Sequence, residues 1–202
     1  MTNDERGGTA LKPLNIRCTS AQCESGLHCF MPKRKASSES ASGKCRYCGA
    51  NLIEWPRVHR KDPAEVTYVF SALKFECFRH FMWHVGIDQR ALNYARRKGR
   101  IRLRAAAERR IRKHLGAANP PFDGRQTPRE GSGNPVCYAQ HATAVCCRKC
   151  VEYWHGIPRG RDLSESEIEY LTQLVMMYLL ERIPNLTETG EKVPPIRRAA
   201  GS

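Results

Sequence analysis

Ten cysteines, nine of them gathered into two groups, constrain this chain more than any other feature. The opening residues lack the basic-then-apolar pattern of a secretory signal, so the thiols are expected to stay reduced in a cytoplasmic setting. Reduced cysteine clusters hold metal far more often than disulfides. The question is which thiols converge on which ion.

The first group holds Cys18, Cys23 and Cys29, followed by Cys45 and Cys48 in the word C-R-Y-C-G. A C-x-x-C-G turn lets two thiolates face one tetrahedral ion, because the glycine permits the tight backbone behind the second ligand. The other two ligands would come from Cys18, Cys23 and Cys29, which leaves one cysteine spare, with His28 as a further donor. Such a closed site is structural, since no position remains for water. The stretch 31–44 between the halves is rich in Ser, Ala and Lys and reads as a flexible insert.

The second group is Cys137, His141, Cys146, Cys147, Cys150 and His155. A helix from Thr143 to His155 would place the last three thiols on one face near its positive end, beside Arg148 and Lys149, which favours thiolates. His141 or Cys137 would add a fourth ligand. Zn2+ in two sites is the reading this pattern supports best. An iron–sulfur cluster on Cys137, Cys146, Cys147 and Cys150 is a weaker one. A single shared site on Cys45, Cys48, Cys147 and Cys150 is a third arrangement.

The rest of the chain reads as mainly α, a compact helical domain carrying a small N-terminal zinc-ribbon-like or knuckle module. The predicted organisation is a tail over 1–16, the cysteine-rich module over 17–55, the helical domain over 60–183 and a second tail over 184–202. Asp62-Pro63-Ala64-Glu65 predicts a helix start, running to Val85 as the central core helix. Asp88 predicts a cap for a helix over Gln89 to Leu115, with Leu92, Ala95, Gly99, Leu103, Ala107 and Ile111 facing inward. Val136 to Ala139 reads as a short strand. In the last helix Ser164 caps, Glu167 is the box partner, Leu163 and Ile168 form a staple and Pro184 ends it.

Charge sharpens the functional reading. Lys and Arg total 34 against 20 acids, a net +14. Between Arg90 and His114 there are 11 basic residues and one acid, Glu108, so 11 − 1 = +10 of that excess lies in one helix. Arg96, Arg97, Lys98, Arg100, Arg102, Arg104, Arg109, Arg110, Arg112 and Lys113 would ring its outer side, a pattern suited to phosphates. No apolar run reaches the length of a membrane span. His80 and His84 lie four apart, but Phe81 stands where a zinc peptidase needs its Glu, so they read as core histidines. The H-x-E and P-C-x-x-C words of the zinc deaminases are absent.

The words D-G-R-Q-T-P at 123–128, Q-H-A-T-A-V-C-C-R-K-C at 140–150 and W-H-G-I-P-R-G-R at 154–161 occur in order. Together they resemble the signature of an uncharacterised bacterial family catalogued as a domain of unknown function, over roughly residues 60 to 183. That resemblance implies a compact helical domain, with a metal at His141, Cys146, Cys147 and Cys150, and no known activity.

Three functions follow as expectations. The first is a zinc protein that binds nucleic acid through its basic helix. The alternative is a metal-dependent hydrolase or nuclease centred on His141 and Cys146, Cys147 and Cys150, with His141, His155 and Asp123 as candidate catalytic groups, although few carboxylates lie near to act as base. The third is a structural adaptor for an acidic protein.

Overall fold

Helix starts in this chain are set by side chains that cap the free amides of the first turn. The computed structural model describes residues 16–33, 43–194 and 196. Within them lie seven helices: α1 (Trp55–Arg60), α2 (Val66–Leu73), α3 (Cys77–His84), α4 (Gln89–Leu115), α5 (Pro135–Ala142), α6 (Arg148–His155) and α7 (Glu165–Arg182). Strand pairing among the described residues is limited to two isolated bridges, Gln22 with Leu27 and His28 with Glu76. The fold is mainly helical, with a Cys/His cluster near the N-terminus that can form a small metal-binding module.

Helix α7 is the hub, packing against α2, α4 and α5. Its start follows the sequence closely: Ser164 Oγ accepts from the Glu167 amide and Glu167 accepts from the Ser164 amide, a complete capping box. Ile168, Leu171, Leu174, Val175, Tyr178 and Leu179 are all buried. The central position therefore belongs to α7 and not to the helix expected over 62–85.

That expected helix is broken. Asp62 does cap, accepting from the Ala64 amide, but the turn it opens is a 3-10 turn at Pro63–Glu65, and Glu65 pairs with Arg57 and Arg60 instead of closing a box. Helix α2 then ends at Leu73, and Glu76 adopts an extended conformation before α3 begins. The break is stabilised from outside: His28 N–H donates to Phe75 O and Cys77 N–H to His28 O, both at 2.8 Å. A strand segment remote in sequence takes over the backbone groups that a continuous helix would have used internally. His80 is only part-buried and His84 is exposed, so neither is the core histidine predicted.

Helix α4 starts at Asp88 as predicted, with Ala95, Gly99, Leu103, Ala107 and Ile111 buried and Leu92 part-buried. It is not continuous. Gly99 has φ 64° and ψ 176°, a conformation open almost only to glycine. The segment after α7 fills the break: Arg100 N–H donates to Thr187 O, Ile101 N–H to Glu188 O, and Glu191 N–H to Arg96 O, at 2.8, 3.1 and 3.0 Å. The residues after 184, read as a loose tail, are held here as far as Glu191. The tail positions 1–15, 195 and 197–202, and 34–42 of the insert, lie outside the described residues.

Two further differences concern the second cysteine group. The strand predicted at Val136–Ala139 is helical within α5, because Asn134 accepts from the Val136 amide and Pro135 occupies the first helical position. The helix predicted from Thr143 begins only at Arg148, with Ala144 in the left-handed region at φ 58°.

Candidate metal centres

The first centre is assembled from a hairpin and a knuckle. Gln22 and Leu27 exchange backbone hydrogen bonds around a turn that carries Cys23, while Cys45 and Cys48 sit on a turn closed by Gly49 N–H donating to Cys45 O at 2.9 Å. Gly49 has φ 76°, the left-handed conformation for which the C-x-x-C-G word needs its glycine. The ligand atoms of Cys23, His28, Cys45 and Cys48 lie within 4.8 Å of one another.

These spacings match tetrahedral coordination. Zn–S and Zn–N bonds imply donor separations of about 3.8 Å for two thiolates and about 3.6 Å for a thiolate and an imidazole. Cys23 Sγ is 3.7 Å from Cys45 Sγ, and Cys48 Sγ is 3.3 Å from His28 Nδ1. Burial opposes ionisation of Cys45, but amides of Cys48, Cys29 and Tyr47 hydrogen-bond its sulfur and hold it down at about 6. The set is a thiolate-rich group of four protein donors, the composition of a closed structural site.

Of the six donors considered for this centre, Cys18 and Cys29 stand outside it. Cys29 is fully buried, donates to Cys18 O at 3.5 Å, and is pushed up to about 11 by its burial. Sequence spacing gave no reason to prefer His28, which is placed by its backbone pairing with Phe75 and Cys77.

In the second centre the sulfurs of Cys146, Cys147 and Cys150 lie within 4.8 Å of one another. They are not on one helical face. Cys146 precedes α6, Cys147 is its N-cap with Sγ accepting from the Cys150 amide at 3.4 Å, and Cys150 lies in the first turn. His141 and Cys137 are not part of this group, nor do Cys45 and Cys48 join it.

Beneath these thiols lies a pair that sequence reasoning did not single out. Arg79 and Glu76 are both fully buried and joined at 3.1 Å. Arg79 also donates to Cys150 Sγ at 3.1 Å, His141 O at 2.7 Å and Tyr153 Oη at 3.0 Å. Glu76 accepts from Tyr153 Oη and from Trp154 Nε1 as well. A charged pair at positions 76 and 79 within an aromatic-rich helical stretch was the available signal.

The candidate catalytic groups hold the structure together. His141 Nε2 is 2.8 Å from Thr127 O, and its burial drives it down to about 4. Its Nδ1 has no partner among the described residues. His155 is sealed between Thr143 O and Tyr170 Oη, at 3.0 and 3.2 Å, and burial lowers it to about 3. Asp123 accepts from the Arg148 amide at 2.9 Å, and Thr127 Oγ1 donates to Cys146 O. The D-G-R-Q-T-P loop is thus a clamp around the second centre.

The basic helix is partly neutralised. Arg96 pairs with Glu191, Arg104 with Glu169, and Arg112 with both Glu108 and Glu165. Arg110 turns inward to Gln140 Oε1 and Gln126 O. Arg97, Lys98, Arg100, Arg102, Arg109 and Lys113 make no ion pair among the described residues.

A mainly helical domain in which the D-G-R-Q-T-P loop closes on a largely buried thiol cluster is the class defined by this architecture. The sequence model of DUF4186, a domain of unknown function, matches residues 67–180. The chain belongs to that family, and the first metal centre lies outside the matched span. No solved structure matches it. Among the described residues no helix is long and apolar enough to cross a membrane.

Proposed function

We propose that this is a zinc-stabilised protein that binds the phosphate backbone of nucleic acid through the outer side of α4. The carrying observation is the row Arg102, Arg109 and Lys113, which recurs at i, i+7 and i+11 on one exposed stripe without a carboxylate partner among the described residues. At about 100° per residue these three fall within roughly 40° of one another. Arg102 reaches only carbonyl oxygens, so its charge stays uncompensated. Zinc in the Cys23, His28, Cys45 and Cys48 group would fix the N-terminal module against the helices, and the arginines would supply sequence-independent affinity.

The hydrolytic reading has less support. His141 is not part of the Cys146, Cys147 and Cys150 group on which that reading centres, and Asp123, His141 and His155 are engaged in backbone hydrogen bonds.

The test is binding of mixed-sequence duplex DNA, single-stranded DNA and RNA across a salt series. Each phosphate contact contributes a slope of about −0.9 in log K against log salt for a duplex. Arg109→Ala with Lys113→Ala should weaken binding and reduce that slope by about 2 units, whereas Arg104→Ala, which removes a paired charge, should change it less. Failure of all three polymers to bind at low salt refutes the proposal.

A further inference from the structure

We propose that the knuckle of the first centre carries a binding site for an unpaired nucleotide, with Tyr47 as the platform for the base and Lys33, Lys44 and Arg46 as the partners of its phosphates. This site rests on the nucleic-acid reading for its class of partner, but it is separate from α4 and either can fail alone.

The first observation is an exposed aromatic ring on a fixed backbone. Tyr47 stands between Cys45 and Cys48 in the C-R-Y-C-G turn and is 61% exposed. The turn around it is tied down: Cys45 N–H donates to Ala50 O and Arg46 N–H to Cys29 O, both at 2.8 Å, and Gly49 N–H closes on Cys45 O. Tyr47 Oη donates to Thr19 O at 2.8 Å, which anchors the far end of the ring. A ring held in this way gives up little rotamer freedom when a planar group stacks on it.

The second observation is the charge beside that ring, since a single exposed apolar side chain is ordinary on a protein surface. A cleft of about 430 Å3 opens next to the knuckle, lined by Met31, Pro32, Lys33, Lys44, Arg46 and Tyr47, with no carboxylate in its wall. The Arg46 guanidinium lies 5.6 Å from the Tyr47 ring centroid. Among the described residues none of the three cations forms an ion pair, and Arg46 Nε has no hydrogen-bond partner. On α4, by contrast, Arg96, Arg104 and Arg112 are each matched to an acid.

An unpaired nucleotide offers both groups that this cleft can use, a planar base for the ring and a phosphate for the cations, at adjacent positions along one strand. An acidic peptide would meet the cations and leave the ring unmatched. A duplex keeps its bases stacked on one another, so it too would meet the cations alone.

The experiment compares three labelled ligands against the full chain: oligo(dT), an abasic phosphodiester strand of the same length, and a duplex. Oligo(dT) should bind more tightly than the abasic strand. Tyr47→Leu should weaken oligo(dT) about 5- to 150-fold, the effect of one base–aromatic stack, and leave the abasic strand and the duplex within about twofold. Tyr47→Trp should keep the affinity, and Lys33→Ala with Lys44→Ala should reduce the single-strand salt slope by about 1.4 units. Metal content is measured on every variant; if Tyr47→Leu has lost its metal, cross-linking of the wild type to an iodouracil strand decides, and the cross-link should map to Tyr47. Equal binding of oligo(dT) and the abasic strand, undiminished binding by metal-loaded Tyr47→Leu, a cross-link elsewhere, or equal displacement of oligo(dT) by polyglutamate overturns the proposal. Duplex binding that persists through those results leaves the α4 reading standing. A Tyr47-dependent preference for oligo(dT) with no effect of Arg109→Ala and Lys113→Ala on any ligand counts against α4 alone, and failure of all three ligands to bind at low salt overturns both.

Discussion

Replacing Gly99 by alanine tests how the two halves of α4 are joined. A Cβ at that position would stand 2.1 Å from Gly190 N, 2.6 Å from Thr189 C and 2.7 Å from Glu188 O, all backbone atoms that no rotamer change can move. The variant has two routes. It can keep the glycine-only conformation at about 1–3 kcal/mol of strain with the clash still to relieve. Or it can expel the segment 187–191 and lose three backbone hydrogen bonds at roughly 0.5–1.5 kcal/mol each, regaining some of that in a continuous helix. Either way the loss should be about 2–4 kcal/mol, a fall in Tm of roughly 5–15 °C for a chain of this size. Urea denaturation would measure it, and hydrogen exchange at the Glu191 amide, which donates to Arg96 O only while the segment is docked, would show which route is taken. Truncation after Leu186 should cost a similar amount, and combining the two should cost little more than the larger alone, since both remove one contact. A Gly99→Ala protein within 0.5 kcal/mol of wild type with the Glu191 amide still protected would refute the reasoning.

Two further perturbations probe the interior. Arg79→Met leaves Glu76 buried without its countercharge, and should cost about 3–5 kcal/mol. Adding Glu76→Gln should recover a substantial part in urea melts, and a double-mutant coupling near zero would contradict the pairing. Stability should also fall on acidification, because His155 and His141 stay neutral in the fold while their unfolded forms take up protons below about pH 6.5. The unfolded chain then binds more protons, so each histidine removes about 1.4 kcal/mol per pH unit between that value and its folded pKa, about 3 for His155 and about 4 for His141. His155→Gln should reduce the slope between pH 6 and 5 by about that amount, measured against wild type, and an unchanged slope would mean that His155 is protonated in the fold.

Local chemistry is what the sequence by itself determined. The Ser164 and Glu167 box, the Asp88 cap, the buried stripe of α4 and the C-R-Y-C-G turn each depend on residues a few positions apart, so periodicity and spacing reveal them. The mainly helical class and membership of the uncharacterised family were legible in the sequence as well. Tertiary structure decided whatever needed a partner distant in the chain. His28 interrupts the helix expected over 62–85 because its backbone pairs with Phe75 and Cys77. The Gly99 break persists because residues 187–191 take up its backbone groups. Cys18, Cys23 and Cys29 look equivalent in a list of spacings, yet the fold sends Cys23 to the knuckle, seals Cys29 in the core and leaves Cys18 outside the first centre. A thiol's neighbours in space, and the groups that satisfy its backbone, depend on packing that no short window of residues contains.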